Sequence, residues 1–141
     1  MYLRRPMKVF VYYNLHKQCL SIKALQGPER GRVVHHAHAV HLEQVVFRVS
    51  QAGRERVLRE RSKNVHAGVT GWLVAYEVSP SLASTLLRQV ADNAGMTRAV
   101  TYNPYRFSSF VDQETHAPIS QTAECIILGR KILVHPEVQH D

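Results

Sequence analysis

The sequence predicts a single α+β domain, mainly an antiparallel sheet with one or two helices packed on it. Three observations carry that expectation. Apolar residues alternate with period two over 8–15, and short apolar runs near the C-terminus are separated by turn residues. One stretch, residues 81–94, instead spaces its leucines and valine at helical intervals and is followed by a glycine. Finally, 141 residues with 45% hydrophobic and 21% charged content match one ordinary globular unit. A chain of that size forms a core without metal or disulfide staples.

The elements follow in order. Residues 1–6, with Arg4, Arg5 and Pro6, are expected to form a flexible N-terminal tail ahead of a domain over 7–136, and 137–141 a frayed C-terminus. Val9, Val11, Tyr13 and Leu15 alternate with Lys8, Phe10, Tyr12 and Asn14, which predicts a strand. Residues 15–18 turn the chain into a second strand over 19–25. So short a connection forces antiparallel pairing, because a parallel crossover needs a dozen or more residues. A turn with Gly27, Pro28 and Gly31 leads to a third strand over 32–40, then a fourth over 42–49 after a kink at Glu43 and Gln44. Together these predict an opening meander.

Ser50 is placed to cap a helix over 51–62, whose apolar content is only Ala52, Val57 and Leu58, so most of its circumference stays wet. Residues 64–78 return to β character, with Gly68 and Gly71 marking a bulge or a close backbone approach. In 81–94 the residues Leu82, Leu86 and Val90 fall at i, i+4 and i+8, Leu87 widens the stripe, and Gly95 ends it. Extended segments at 99–102 and 106–111 flank an Asn103–Pro104 turn, and 112–118 is a polar loop. A short helical turn is expected over 119–124. A hairpin of 125–128 and 131–134 closes through Gly129 and Arg130.

Several function classes lose support at this level. No apolar run approaches the ~20 residues of a membrane-spanning helix, so no membrane partner is expected. Arg4 and Arg5 precede an apolar run too short for a secretory signal, which leaves a cytoplasmic setting as the expectation. Cys19 and Cys125 lack metal-ligand spacing and read as buried free thiols in a reducing compartment. Without GxxxxGK, GxGxxG or GxSxG, ATP-driven, dinucleotide and α/β-hydrolase chemistry have no local signature, and no cofactor is expected.

The net charge of +7 points toward polyanionic partners, either nucleic acid or an acidic protein surface. Residues 54–63 hold five cations, Arg54, Arg56, Arg59, Arg61 and Lys63, against Glu55 and Glu60. Arginines on one exposed helix grip phosphates without reading bases. The same residues also make Glu55–Arg59 and Arg56–Glu60 pairs that simply support a solvated helix. Tyr105 and Arg106, within Tyr102–Phe107, offer a stacking or anchoring group, although Phe107 and Phe110 also suit an ordinary core corner.

Nine histidines include four between positions 35 and 41. On a continuous strand His36 and His38 share one face, and His35 and His41 the other. A metal would need a third ligand from His16 or His66, and Glu43 is the only carboxylate nearby. No HExxH pattern exists, so no metal site is expected. Residues 61–68 put Arg61, Lys63, Asn64 and His66 at a helix-to-strand junction ahead of Gly68. One reading is a shaped turn with His66 packed in a strand. The other is a phosphate site in which His66, a second imidazole from His16 or His36, and Lys63 act as base, acid and cation. That set is what a metal-independent ribonuclease-like or other phosphotransfer enzyme requires.

The strings Val-Phe-Val-Tyr-Tyr-Asn-Leu-His-Lys at 9–17, Gly-Arg-Val-Val-His-His-Ala at 31–37 and Lys-Asn-Val-His-Ala at 63–67 resemble a family of small uncharacterised phage and prophage proteins of unknown function. Tyr-Asn-Pro-Tyr-Arg-Phe at 102–107 and Phe-Val-Asp at 110–112 are similar too. The resemblance implies a phage origin and the cytoplasm of a bacterial host, and it carries over no functional residue. The expected function is a non-enzymatic accessory protein that binds nucleic acid or an acidic host protein. Its contacts would come from Arg54, Arg56, Arg59, Arg61, Lys63, Asn64, Tyr105 and Arg106. The phosphotransfer enzyme is the alternative.

Overall fold

A computed structural model describes residues 2–3, 7–47, 49, 51–60, 68–92, 95–103, 106–107, 109–119 and 122–137. Among them the order is β1 (Tyr2–Leu3), β2 (Lys8–Asn14), β3 (Cys19–Ala24), β4 (Val33–Ala37), β5 (Ala39–Val46), α1 (Gln51–Glu60), β6 (Val69–Glu77) and α2 (Pro80–Leu87). A π-helical turn (Arg88–Asp92) then leads to β7 (Arg98–Thr101), β8 (Val111–Asp112), β9 (Ala123–Leu128) and β10 (Lys131–Val134). The strands form one sheet in the order β4-β3-β2-β6-β5-β9-β10-β7-β8, with β1 on β6 beyond β2. Each of these pairings is antiparallel. Sheet so dominates the two short helices that the α+β expectation fits only loosely.

The first hairpin forms as the alternation predicts, with Val9 opposite Ala24 and Val11 opposite Ile22. The Asn14 carboxamide oxygen accepts the N–H groups of His16 (3.0 Å) and Lys17 (3.1 Å), so the turn is held by its own first residue. The next strand differs from the expectation. It ends at Ala37, and His38 alone separates it from β5. β4 pairs with β3, while β5 pairs with β6, which itself pairs with β2. The chain therefore links the two ends of the β4-β3-β2-β6-β5 segment, and this part of the sheet rolls up on itself. Inside the roll the His35 ring stacks on Tyr76 with centroids 4.5 Å apart. The kink expected at Glu43 and Gln44 is present as a register shift between Glu43 and Val46, with Gln44 at φ 51°.

Two cores lie on opposite faces of the sheet. The larger gathers Val9, Val11, Leu20, Ile22, Val40, Leu42, Phe47, Leu73 and Ile127 with Val100 and Phe110 from the far strands. The smaller sets Ala83, Leu86, Ala91 and Met96 against Ala39, Ile126 and Leu133. The helical stripe is shifted from its expected position: Leu82 is 50% exposed, and Ala83 and Leu86 point inward. Pro80 opens this helix where its missing N–H is no loss. The wide turn at Arg88–Asp92 then brings Ala91 onto the same buried side.

Two further expectations are corrected. Ala123 and Glu124 belong to β9 and not to a helical turn, because Ala123 pairs with Val45 across the sheet. Ile119 is held by its N–H to the Phe110 carbonyl (3.2 Å). Tyr2 and Leu3, expected in a tail, pair with Tyr76 and Ala75. The β9–β10 hairpin lies as expected, with Gly129 in the left-handed region at φ 58°. Cys19 and Cys125 are buried free thiols, and burial pushes the Cys125 thiol upward.

Candidate nucleic-acid interface

Of the cations named from sequence, Arg59 is exposed on α1 and Arg54 is half-buried. Arg54 lies near enough to Tyr102 to oppose, without overcoming, the burial that raises the phenol's pKa. Arg106 is exposed, its guanidinium 5.3 Å from the centre of the Phe107 ring. Arg61, Lys63, Asn64, His66 and Tyr105, together with the Arg56 side chain, lie outside the described residues. His16 is exposed in the β2–β3 turn. His36 stands on β4 with its Nδ1 3.2 Å from Ser21 Oγ. Burial, then the charge of Lys17, lowers its pKa.

A different surface emerges from strand register. The alternation that buries Val9, Val11, Leu20, Ile22 and Val69 turns Lys8, Phe10, Tyr12, Lys23, Thr70 and Trp72 to the opposite side of β2, β3 and β6. Lys8 lies opposite Trp72, and Phe10 is flanked by Lys23 on one side and Thr70 on the other. The Phe10 and Tyr12 rings sit 5.9 Å apart. All three aromatics are half-buried and Lys8 is exposed. α2 packs against β5, β6 and β9. Glu43, opposite Trp72, marks where the positive patch gives way to carboxylates. Sequence reading missed this patch although its signal was present: Phe10 and Tyr12 fall in the polar phase of the first strand. Only the pairing of β2 with β3 and β6 brings the lysines and Trp72 alongside.

A cleft of about 230 Å³ opens where the β2–β3 hairpin faces β7 and the β9–β10 turn. Tyr13, Leu20, Val100, Tyr102, Phe110 and Arg130 are among its lining residues. The Arg130 guanidinium lies 4.9 Å from the centre of the Tyr13 ring. Tyr102 stacks on Phe110 with centroids 4.8 Å apart, and its hydroxyl is buried without a hydrogen-bond partner among the described residues.

The remaining polar cluster is Glu124 between two imidazoles. Its Oε2 is 2.6 Å from His41 Nε2 and its Oε1 2.8 Å from His135 Nε2. Burial would raise the Glu124 pKa, but the His135 and His41 hydrogen bonds outweigh it and hold the carboxyl below its usual range. Among the described residues no group of three or more His, Cys, Asp or Glu is arranged to hold a metal ion. No helix among the described residues is long and apolar enough to cross a membrane.

A family model described as Mycobacterium phage L5 gene 82 protein matches residues 2–135. The Gene 82 protein of Mycobacterium phage L5 is 40% identical over 120 residues, spanning 81% of this chain and 84% of the relative. No solved structure matches the chain.

Proposed function

This chain belongs to the family of the Mycobacterium phage L5 gene 82 protein, and from that premise we propose a non-enzymatic phage accessory protein that binds single-stranded nucleic acid on the outer face of its rolled sheet. One observation carries the reading: Phe10, Tyr12 and Trp72 share one face of β2, β3 and β6 with Lys8 and Lys23, in a chain of net charge +7. Every base has a π-face, so stacking on aromatic rings tolerates any sequence, while lysines track the backbone. Arg59 of α1 and the other cations named from sequence would extend the phosphate contacts. An acidic host protein fits the charge but gives no reason for three aromatics among the lysines.

Fluorescence anisotropy with labelled single-stranded RNA and DNA over a salt series tests this. Affinity is expected to fall steeply with salt, and Lys8→Gln with Lys23→Gln should flatten the slope by about 1.4, or roughly 0.7 per lost contact. Undetectable or salt-insensitive binding refutes it. Cleavage of the oligonucleotide in the same samples would favour the phosphotransfer alternative.

A further inference from the structure

We infer that the cleft between the β2–β3 hairpin and the β9–β10 turn receives one unstacked base of the bound strand, with the adjoining phosphate on Arg130. This rests on the single-strand reading and names a second element of it.

The cleft joins three features that an unstacked nucleotide needs. Its interior is apolar and aromatic, with Leu20 and Val100 beside Tyr13 and the stacked Tyr102–Phe110 pair. Its cation is already positioned, because Arg130 lies over Tyr13 and is exposed. A base sliding along Tyr13 therefore brings its phosphate to the guanidinium, whose planar fork matches phosphate oxygens. The third feature is the Tyr102 hydroxyl, buried and without a partner among the described residues. Buried polar groups in folded proteins nearly always have partners, and an unmet one is destabilising. An occupant that brings an acceptor, such as a base carbonyl or ring nitrogen, removes that deficit. An aliphatic or hydrocarbon ligand would leave it in place and would have no use for Arg130.

Gly68 borders the cleft just ahead of β6. A Cβ there would meet the Val11 carbonyl oxygen at 2.3 Å and the Phe10 ring at 2.7 Å. The position thus lets the chain ahead of β6 pass close to β2, with the Phe10 ring against it.

The test titrates each of the four nucleoside 5′-monophosphates, and separately a short single-stranded oligonucleotide, into the whole chain while following the Tyr13 and Tyr102 ring resonances by NMR. Both resonances should shift with both probes. Tyr102→Phe, which keeps the ring and its packing on Phe110, should weaken monophosphate binding about tenfold, the worth of one well-made hydrogen bond. Arg130→Gln should weaken it by a similar factor. Thermal stability of Tyr102→Phe should equal or exceed that of the parent, a result a purely structural hydroxyl would not give. If the oligonucleotide binds with a steep salt dependence while both rings stay unperturbed, the pocket is refuted and the outer-face reading stands. If the monophosphates shift the rings but the oligonucleotide binds no better than they do, the pocket stands and the outer-face reading falls. Unchanged monophosphate affinity in both variants also refutes the pocket.

Discussion

Asp112 offers the sharpest energetic test of the fold. It lies on β8 with only 4% exposure, and its carboxylate is ion-paired with Arg98. Its other oxygen accepts the N–H groups of Glu114 (2.8 Å) and Thr115 (2.9 Å), which closes the turn after β8. Burial alone would raise its pKa. The hydrogen bonds from Thr115, Arg98 and Glu114 and the Arg98 charge overcome that, and hold the carboxyl at about 2. Since the folded value lies below the unfolded one, the stabilisation is present above the unfolded value of ~3.9 and is lost as pH falls toward 2. A difference of just under two units corresponds to about 2–3 kcal/mol. Asp112→Asn keeps an oxygen for the two amides but removes the charge, and leaves Arg98 its bond to the Pro136 carbonyl at 3.2 Å. Urea unfolding at neutral pH should show the variant destabilised by about 2–3 kcal/mol. The decisive measurement repeats this down a pH series. The gap should stay constant to about pH 4 and then close as the parent loses its own charge. A gap that persists unchanged at pH 2–3, or one within ~0.5 kcal/mol at pH 7, would refute the reasoning.

Other expectations concern packing. Gly68→Ala forces a Cβ against the Val11 carbonyl oxygen at 2.3 Å, and urea midpoints should fall by an amount equivalent to about 1–3 kcal/mol. Leu86→Ala, at 2% exposure, should cost about 2–5 kcal/mol by the same measure, whereas Leu82→Ala, at 50% exposure, should stay within about 0.5 kcal/mol. Equal losses at the two leucines would mean that the helix is rotated from the orientation described. Cys19 and Cys125 should react with a thiol reagent only as the chain unfolds, most stringently Cys125, whose thiol burial holds in the protonated form.

Sequence alone made local structure legible where one periodicity dominated. The β2–β3 and β9–β10 hairpins follow directly from strand-sized apolar segments joined by short turns, because nearby strands have only one way to pair. Of the helix expected at 81–94, the part described as α2 and the π-helical turn after it was legible as helical but not in phase. Leu82 satisfies the same spacing rule as Ala83, and hydrophobicity favours the leucine, yet the facing residues Ala39 and Ile126 are met by the smaller side chain. The roll was not legible at all. It depends on a break at His38, whose N–H bonds to the Glu77 carbonyl at 2.8 Å, nearly forty positions away. The cleft was hidden for the same reason, since Tyr13, Tyr102 and Arg130 meet only once β2 faces β7 and the last hairpin.

The histidines show most clearly why density in sequence is a poor guide to a site. Alternation over an unbroken strand would give His35 and His41 one face, and His36 and His38 the other. The bend at His38 resets that alternation: Ala37 belongs to the inner core before it and Val40 after it, two positions of opposite parity. His35 therefore turns inward onto Tyr76, while His36 and His41 both turn outward, toward Ser21 and Glu124 respectively. His38 Nδ1 is 3.1 Å from the Val78 carbonyl at the bend itself. Four imidazoles within seven positions thus have four separate partners, each fixing a different junction of the sheet. His41 gains its carboxylate from β9 and shares it with His135, more than ninety positions away. The grouping that matters chemically is made by strand order, which no local window contains.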